Sequence, residues 1–306
     1  MMFANVTVQV VILFILILVG VALAKIKILN ENACKGMADV VLVLATPCVI
    51  VQSFIREFDK SSLKTLLLSF LIGVGAHLLF IIASRILIKD NDKRKEKVLQ
   101  FGIIFANCGY MSIPLQQALL GDDGVFIASA YVAIFNIFMW SYGLYIMGGD
   151  KVKISAKKLL FNPGIIAVSV GLIIFLLSIP VPSIIKAPIG YLASLNTPLP
   201  MIIIGYYLAK SNILKTFKDI KCILAMALRL VVLPLLALLV LWVCGVRDTI
   251  LVSSVISICS PVAAATTMFS AKYDADTETS ANLVSVSTLI SIITMPLIIT
   301  LAQYIS

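Results

Sequence analysis

Apolar runs of about twenty residues recur along this 306-residue chain, and short loops between them hold most of its charge. A run of that length crosses the ~30 Å hydrocarbon core of a bilayer as a helix. Hydrophobic residues make up 61% of the chain and charged residues 13%. A soluble domain has roughly 45–50% and about 25%, so the composition excludes one here. The chain reads as an all-α polytopic membrane protein with ten spans, near 6–24, 36–55, 65–88, 98–119, 124–147, 163–180, 188–209, 220–243, 249–271 and 281–304. No basic segment precedes the first run, from Val6 to Ala24, so it reads as a membrane helix and not a cleaved signal peptide.

The charge of +9 does not form a nucleic-acid patch. Its cations sit in alternate loops, at Lys25, Lys27 and Lys35, Lys89 to Lys97, Lys151 to Lys158, Lys210 to Lys221, and Lys272. The opposite loops hold only Arg56, Lys60, Lys64, Lys186 and Arg247. By the positive-inside rule the first set is cytoplasmic and both termini lie outside, at the cell membrane. The six cysteines show no CxxC spacing and read as packing residues, not disulfides or metal ligands.

The two halves resemble each other. Val19-Gly20 matches Val170-Gly171 and Thr46-Pro47 matches Thr197-Pro198 at one common offset, and Pro114 pairs with Pro261 at a slightly shorter one. This divides the chain into repeats at 1–148 and 162–306, with a cytoplasmic linker at 149–161. Five spans are an odd number, so the second repeat lies inverted relative to the first. Inverted repeats place a transporter's site where the halves meet, near mid-bilayer.

Two spans carry residues that suit a continuous helix poorly. The fourth contains Asn107-Cys108-Gly109-Tyr110-Met111-Ser112-Ile113-Pro114, and the ninth contains Ser260-Pro261 followed by Ala263-Ala264-Ala265-Thr266. Proline removes a backbone donor and clashes with the preceding turn. Broken backbone at membrane depth is tolerated only inside protein or along a cavity. If both helices break at one place, two half-helix N-termini meet there, each with about half a positive charge and unpaired N–H groups. Such a site favours a carboxylate, and Asn107, Ser112, Ser260 and Thr266 are its nearest polar side chains.

In this order the motifs resemble those of the auxin efflux carrier family: Asn107 through Pro114-Leu115 with Gly121 downstream, Asn162-Pro163-Gly164, Thr197-Pro198-Leu199, Pro261 to Tyr273, and Met295-Pro296. The resemblance covers essentially the whole chain. It implies a scaffold of spans 1, 2, 6 and 7, a moving transport domain of spans 3–5 and 8–10, and a crossing of spans 4 and 9 at the substrate. It also implies that Asn107 contacts a carboxylate, that Pro114 and Pro261 mark the crossover with Gly109 in the same motif, and that Asn136 is a polar site residue of the fifth span. Ser112 stands where the family usually has Gly, and Thr266 where plant members have a second crossover proline, so auxin itself is doubtful as substrate.

Intramembrane ionisable residues mark function by default. His77, the only histidine, is read either as a neutral histidine bonded within the bundle or as a proton-coupling group. Arg229 is read either as snorkelling to the interface or as paired with Asp39.

The function expected is a secondary carrier for a small organic anion, working by elevator-type alternating access. The alternative is a sodium- or proton-coupled symporter or antiporter on the same fold. One histidine excludes HExxH zinc chemistry, and no paired aspartates or nucleophile elbow is evident, so no enzyme, cofactor or metal is expected. The partners are the anion and the bilayer, with monomer and homodimer both open.

Overall fold

The computed structural model describes residues 2–149, 161–211 and 216–306, with side chains from Val6 onward. All but the ends of the 149–161 linker, and Lys215 with it, lie outside the described residues. The described residues form helices joined by turns and short extended segments, and no named strand is among them. We number the helices α1 (Met2–Lys25), α2 (Glu31–Phe54), α3 (Lys60–Leu87), α4 (Lys93–Ile104), α5 (Cys108–Gly148), α6 (Pro163–Leu176), α7 (Ser183–Ser194), α8 (Pro198–Lys210), α9 (Ile220–Val243), α10 (Asp248–Cys259), α11 (Ala265–Lys272) and α12 (Thr277–Ile305). Seven stretches among the described residues are long and apolar enough to cross a membrane: α1, α2, α3, α5, α7 with α8, α9 and α12. Leu18, Leu71, Ile86 and Val243 stand exposed on the outer faces, as lipid contact requires of a multi-pass membrane protein.

Side-chain oxygens start six of these helices. Asn30, Asp59, Asp92, Asn162, Asp219 and Asp276 each accept a backbone N–H of the first turn. Each cap satisfies donors that a helix leaves unpaired at its N-terminus. At the same end of the bundle, Lys95 pairs with Asp219 and lies 3.7 Å from Asp90, which Lys221 meets at 3.1 Å. These contacts tie the start of α4 to the start of α9. The Asp92 backbone N–H, with Lys221 and Lys95 beside it, holds the Asp90 carboxyl below its usual range despite partial burial.

Prolines explain the wide turns. Helices α2, α5 and α9 each contain a five-residue π-helical turn, at Val41–Ala45, Cys108–Ser112 and Leu228–Val232. The middle residues of these turns, Val43, Tyr110 and Leu230, lie four positions before Pro47, Pro114 and Pro234. A proline ring clashes with the carbonyl four residues back, and widening the turn around that carbonyl makes room. A fourth such turn, Met139–Gly143, has no proline behind it, and we have no physical account of it.

The halves are joined most closely at α1 and α8. A methyl group on Gly205 would lie 2.1 Å from the Ile17 carbonyl oxygen, and one on Gly20 would lie 2.3 Å from that of Ile202. Small residues permit this backbone approach, the usual means of close helix packing in lipid. On the neighbouring pair, Gly171 of α6 receives the ring of Phe54 from α2.

Several expected boundaries change. The loop expected between the fourth and fifth spans is a break at Gly121 (φ +62°, ψ −152°) inside the 41-residue stretch Cys108–Gly148. Asp122 and Asp123 therefore continue a helix. The seventh span is interrupted between Ser194 and Pro198, because Thr197-Pro198-Leu199-Pro200 restarts the helix. The sixth and ninth spans are short helices, Pro163–Leu176 and Asp248–Cys259.

Substituting Gly205 by Val should separate α1 from α8 and cost about 2 kcal/mol or more through overpacking. Gly75→Ala, where a new Cβ meets nothing within 4 Å, should be neutral or stabilising by roughly 0.5 kcal/mol. Thermal unfolding in detergent distinguishes the two, and equal behaviour would show that the α1–α8 contact is not tight.

Candidate functional site at the helix crossover

Helix α4 ends at Ile104 and α10 ends at Cys259, and both chains then run extended. The extended segments meet. The Asn107 N–H donates to the Pro261 carbonyl at 2.8 Å, and the Ala263 N–H donates to the Phe105 carbonyl at 2.9 Å. This is an antiparallel bridge centred on Ala106 and Val262. The Val262 N–H donates to the Ser287 hydroxyl of α12 at 3.2 Å. Groups that would cost several kcal/mol each if left bare in lipid are thereby paired. Beyond the bridge the helices restart at Cys108 and Ala265, so the first-turn N–H groups of α5 and α11 lie on either side of one short bridge.

The two C-termini at this point share one cation. Arg229 is fully buried. Its Nε donates to the Ser260 carbonyl at 3.0 Å and its Nη1 to that of Ile103 at 3.1 Å. Its Nη2 donates to the carbonyls of Ser260, at 2.9 Å, and Ile258. The guanidinium carbon lies 4.9 Å from the centre of the Phe80 ring. Carbonyls at a helix C-terminus carry partial negative charge, and the guanidinium presents five donors in a fixed fork that matches several at once. Both expectations for Arg229 are therefore corrected. It does not snorkel, because its donors are consumed in the interior, and it does not pair with Asp39, which is exposed on α2. No carboxylate among the described residues pairs with it, so its charge remains as a net positive field at the crossover.

The expected site residues divide into groups. Asn107 and Thr266 are buried, and the amide Nδ2 and the hydroxyl have no protein partner. Gly109 is half-buried with open space where a Cβ would stand. Ser112 lies 3.2 Å from Ser257 across the α5–α10 contact, and both lie against Gln116, which donates to the Ser253 carbonyl at 2.8 Å. The Ser260 hydroxyl is spent on the Ile256 carbonyl at 2.9 Å, so only its backbone serves the crossover. Pro261 accepts in the bridge, and Pro114 lies seven residues past Asn107, inside α5. Asn136 is turned elsewhere: it donates to the Val132 carbonyl, with Nδ2 close to Gly164 at the start of α6.

His77 is buried with Nδ1 bonded to the Gly73 carbonyl at 2.7 Å and its ring stacked on Phe138 at 5.0 Å. A carbonyl only accepts, so this bond places the proton on Nδ1. Tyr131, Phe105 and Phe135 complete an aromatic surround. Among the described residues no group of three His, Cys, Asp or Glu side chains could hold a metal ion.

Sequence reading missed Gln116, Ser257 and Ser287. The signal was present for the last: Ser280, Ser285, Ser287 and Ser291 recur in an apolar helix, and hydroxyls there mark backbone that needs partners.

A polytopic helical bundle whose interior is cut by two mutually paired backbone breaks defines the class of multi-pass membrane transporters. The model of the membrane transport protein family matches residues 5–299, and the chain belongs to this family, that of the auxin efflux carriers. It is also similar to an uncharacterized transporter of Methanothermobacter thermautotrophicus, 26% identical over 296 residues that cover 94% of this chain and 95% of that one.

Replacing Arg229 by Met leaves three buried carbonyls without donors and should cost about 3 kcal/mol or more. Arg229→Lys, whose compact ammonium cannot span all three, should fall between. Thermal unfolding in detergent checks the order, and a Met variant as stable as the wild type would remove Arg229 from its role at the C-termini.

Proposed function

We propose that the chain is a secondary carrier that moves a small organic anion across the plasma membrane by elevator-type alternating access. In this reading ten spans form two inverted repeats, 1–148 and 162–306, joined by a cytoplasmic linker at 149–161, with both termini outside. Spans 1, 2, 6 and 7 form the scaffold, and spans 3–5 and 8–10 carry the substrate.

One observation carries the reading: the backbone bridge that joins Asn107 to Pro261 and Phe105 to Ala263. It sets the first turns of α5 and α11 at the two ends of one short antiparallel bridge. Two helix N-termini favour an anion through their dipoles and their unpaired N–H groups, which in α11 do not include Thr266 and Thr267, bonded to the Ala263 and Ala264 carbonyls. The Arg229 charge behind the bridge raises the local potential without offering its donors, which the carbonyls occupy. Asn107 supplies the one buried side-chain amide with a free donor in the break. Gly109, Ser112, Pro114, Ser260, Pro261 and Thr266 complete the proposed substrate site, and Asn136, which faces Val132 and Gly164, belongs to it only from further along α5. An anion held by neutral donors leaves more readily than one locked in an ion pair, as a carrier requires.

The test is ligand stabilisation of the purified protein across a panel of organic acids, followed by uptake into proteoliposomes. An acid present at 100 times its Kd stabilises by about 2.7 kcal/mol. Carboxylates should raise the melting temperature and enter vesicles, and Asn107→Ala should weaken their binding about tenfold, or ~1.4 kcal/mol. Equal stabilisation of wild type and variant would overturn the assignment of Asn107.

A further inference from the structure

We propose that the cavity between α2, α5 and α7 is a second ligand subsite, which holds a neutral hydrogen-bonding group of the transported acid about 10 Å from its carboxylate. The proposal rests on the carrier reading above and adds the shape of the substrate to it.

The cavity encloses about 210 Å³. That is room for several waters, the size of part of a small acid. Val49 and Gln52 of α2, Ile113, Pro114 and Gln117 of α5, and the α7 segment from Gly190 to Thr197 form its wall. No charged residue is among them.

Two polar atoms in this wall lack protein partners. Asn196, 1% exposed, lies in the break between α7 and α8. Its Oδ1 accepts the Thr46 hydroxyl at 2.6 Å, which fixes the amide so that Nδ2 is the free end, and no protein acceptor meets that nitrogen. The Gln52 Oε1 is likewise sheltered and unpaired, and it lies 3.7 Å from where a Cβ on Gly190 would stand. A buried donor or acceptor left unpaired costs about 1–3 kcal/mol, and a ligand that bonds it recovers that cost. One donor and one acceptor in an uncharged wall suit a hydroxyl or carboxamide and disfavour a carboxylate.

Pro114 connects this cavity to the crossover. It lies seven residues after Asn107 along α5, roughly 10 Å at 1.5 Å per residue. Ile113, Pro114, Val49 and Ala193 make part of the cavity wall apolar. The ligand that matches has a carboxylate at one end, an apolar middle and a neutral polar group at the other.

The experiment compares 6-hydroxyhexanoate with hexanoate, binding each to the full-length protein in detergent by calorimetry. Wild type should bind the hydroxy acid about tenfold tighter. Asn196→Asp keeps the acceptor for Thr46 and removes the Nδ2 donor, and it should bring that ratio to about one. Gln52→Met, on the opposite wall, should reduce the ratio in the same way and serves if Asn196→Asp folds poorly. Asn107→Ala should weaken both acids alike and leave the ratio intact. Equal binding of the two acids by wild type, or a ratio unmoved by either wall variant, overturns the subsite while an Asn107 effect still upholds the carrier. A ratio that depends on Asn196 in a protein indifferent to Asn107→Ala overturns the crossover reading and leaves the cavity as a site for the hydroxyl group.

Discussion

The backbone hydrogen-bond requirement of the bilayer governs this structure. A helix that stops inside hydrocarbon strands donors and acceptors with no water to receive them. Two helices stop here, and each supplies what the other lacks: Asn107 and Ala263 donate, and Pro261 and Phe105 accept. Neither break is stable alone. A substitution that restored helix on one side would orphan the other, so the interruptions form one feature shared by distant parts of the chain. Ser287 takes the donor that the bridge leaves over.

The remaining groups at the crossover sort by the sign of their partial charge. C-terminal carbonyls collect around Arg229 and N-terminal amides lie past the bridge. A buried cation without a carboxylate would be costly on its own. Here the carbonyl ends of two helices neutralise it in part, and the remainder of its charge extends toward the amide side. The chain thereby places a positive charge at the crossover that is held by neutral carbonyls and not by a carboxylate. The Asn107 amide and the Thr266 hydroxyl are neutral at any physiological pH.

Much of this was legible in the sequence, for local reasons. Asn107, Gly109, Pro114 and Pro261 announce broken helices because each disfavours continuous helix by itself. The recurring apolar runs of about twenty residues gave the helical, multi-pass membrane class. What escaped were pairings set by three-dimensional approach. Nothing in the residues around Arg229 says that carbonyls of α4 and α10 will meet it, and the nearest acidic residue on a neighbouring span, Asp39, offered a simpler partner that the fold leaves exposed. The break at 195–197 was hidden because Ser194 through Pro200 reads equally well as a proline-initiated helix start and as a mild kink. Gly121 marked a turn correctly, but a positive φ lets one glycine turn the chain without a loop.

Two kinds of contact hold the helices together, and they differ in how closely the backbones approach. Helices α1 and α8 touch backbone to backbone at Gly20 and Gly205, where displacement along either axis would drive side chains into carbonyls. That contact behaves as a fixed joint. The contact of α5 with α2 leaves a cavity beside Pro114 and Val49 and is closed further along by the Phe54–Phe126 ring contact and the Arg56–Asp123 ion pair. Close backbone approach at one contact and side-chain packing around a cavity at the other are two ways of meeting the same need for helix contact in lipid, where no hydrophobic force draws helices together.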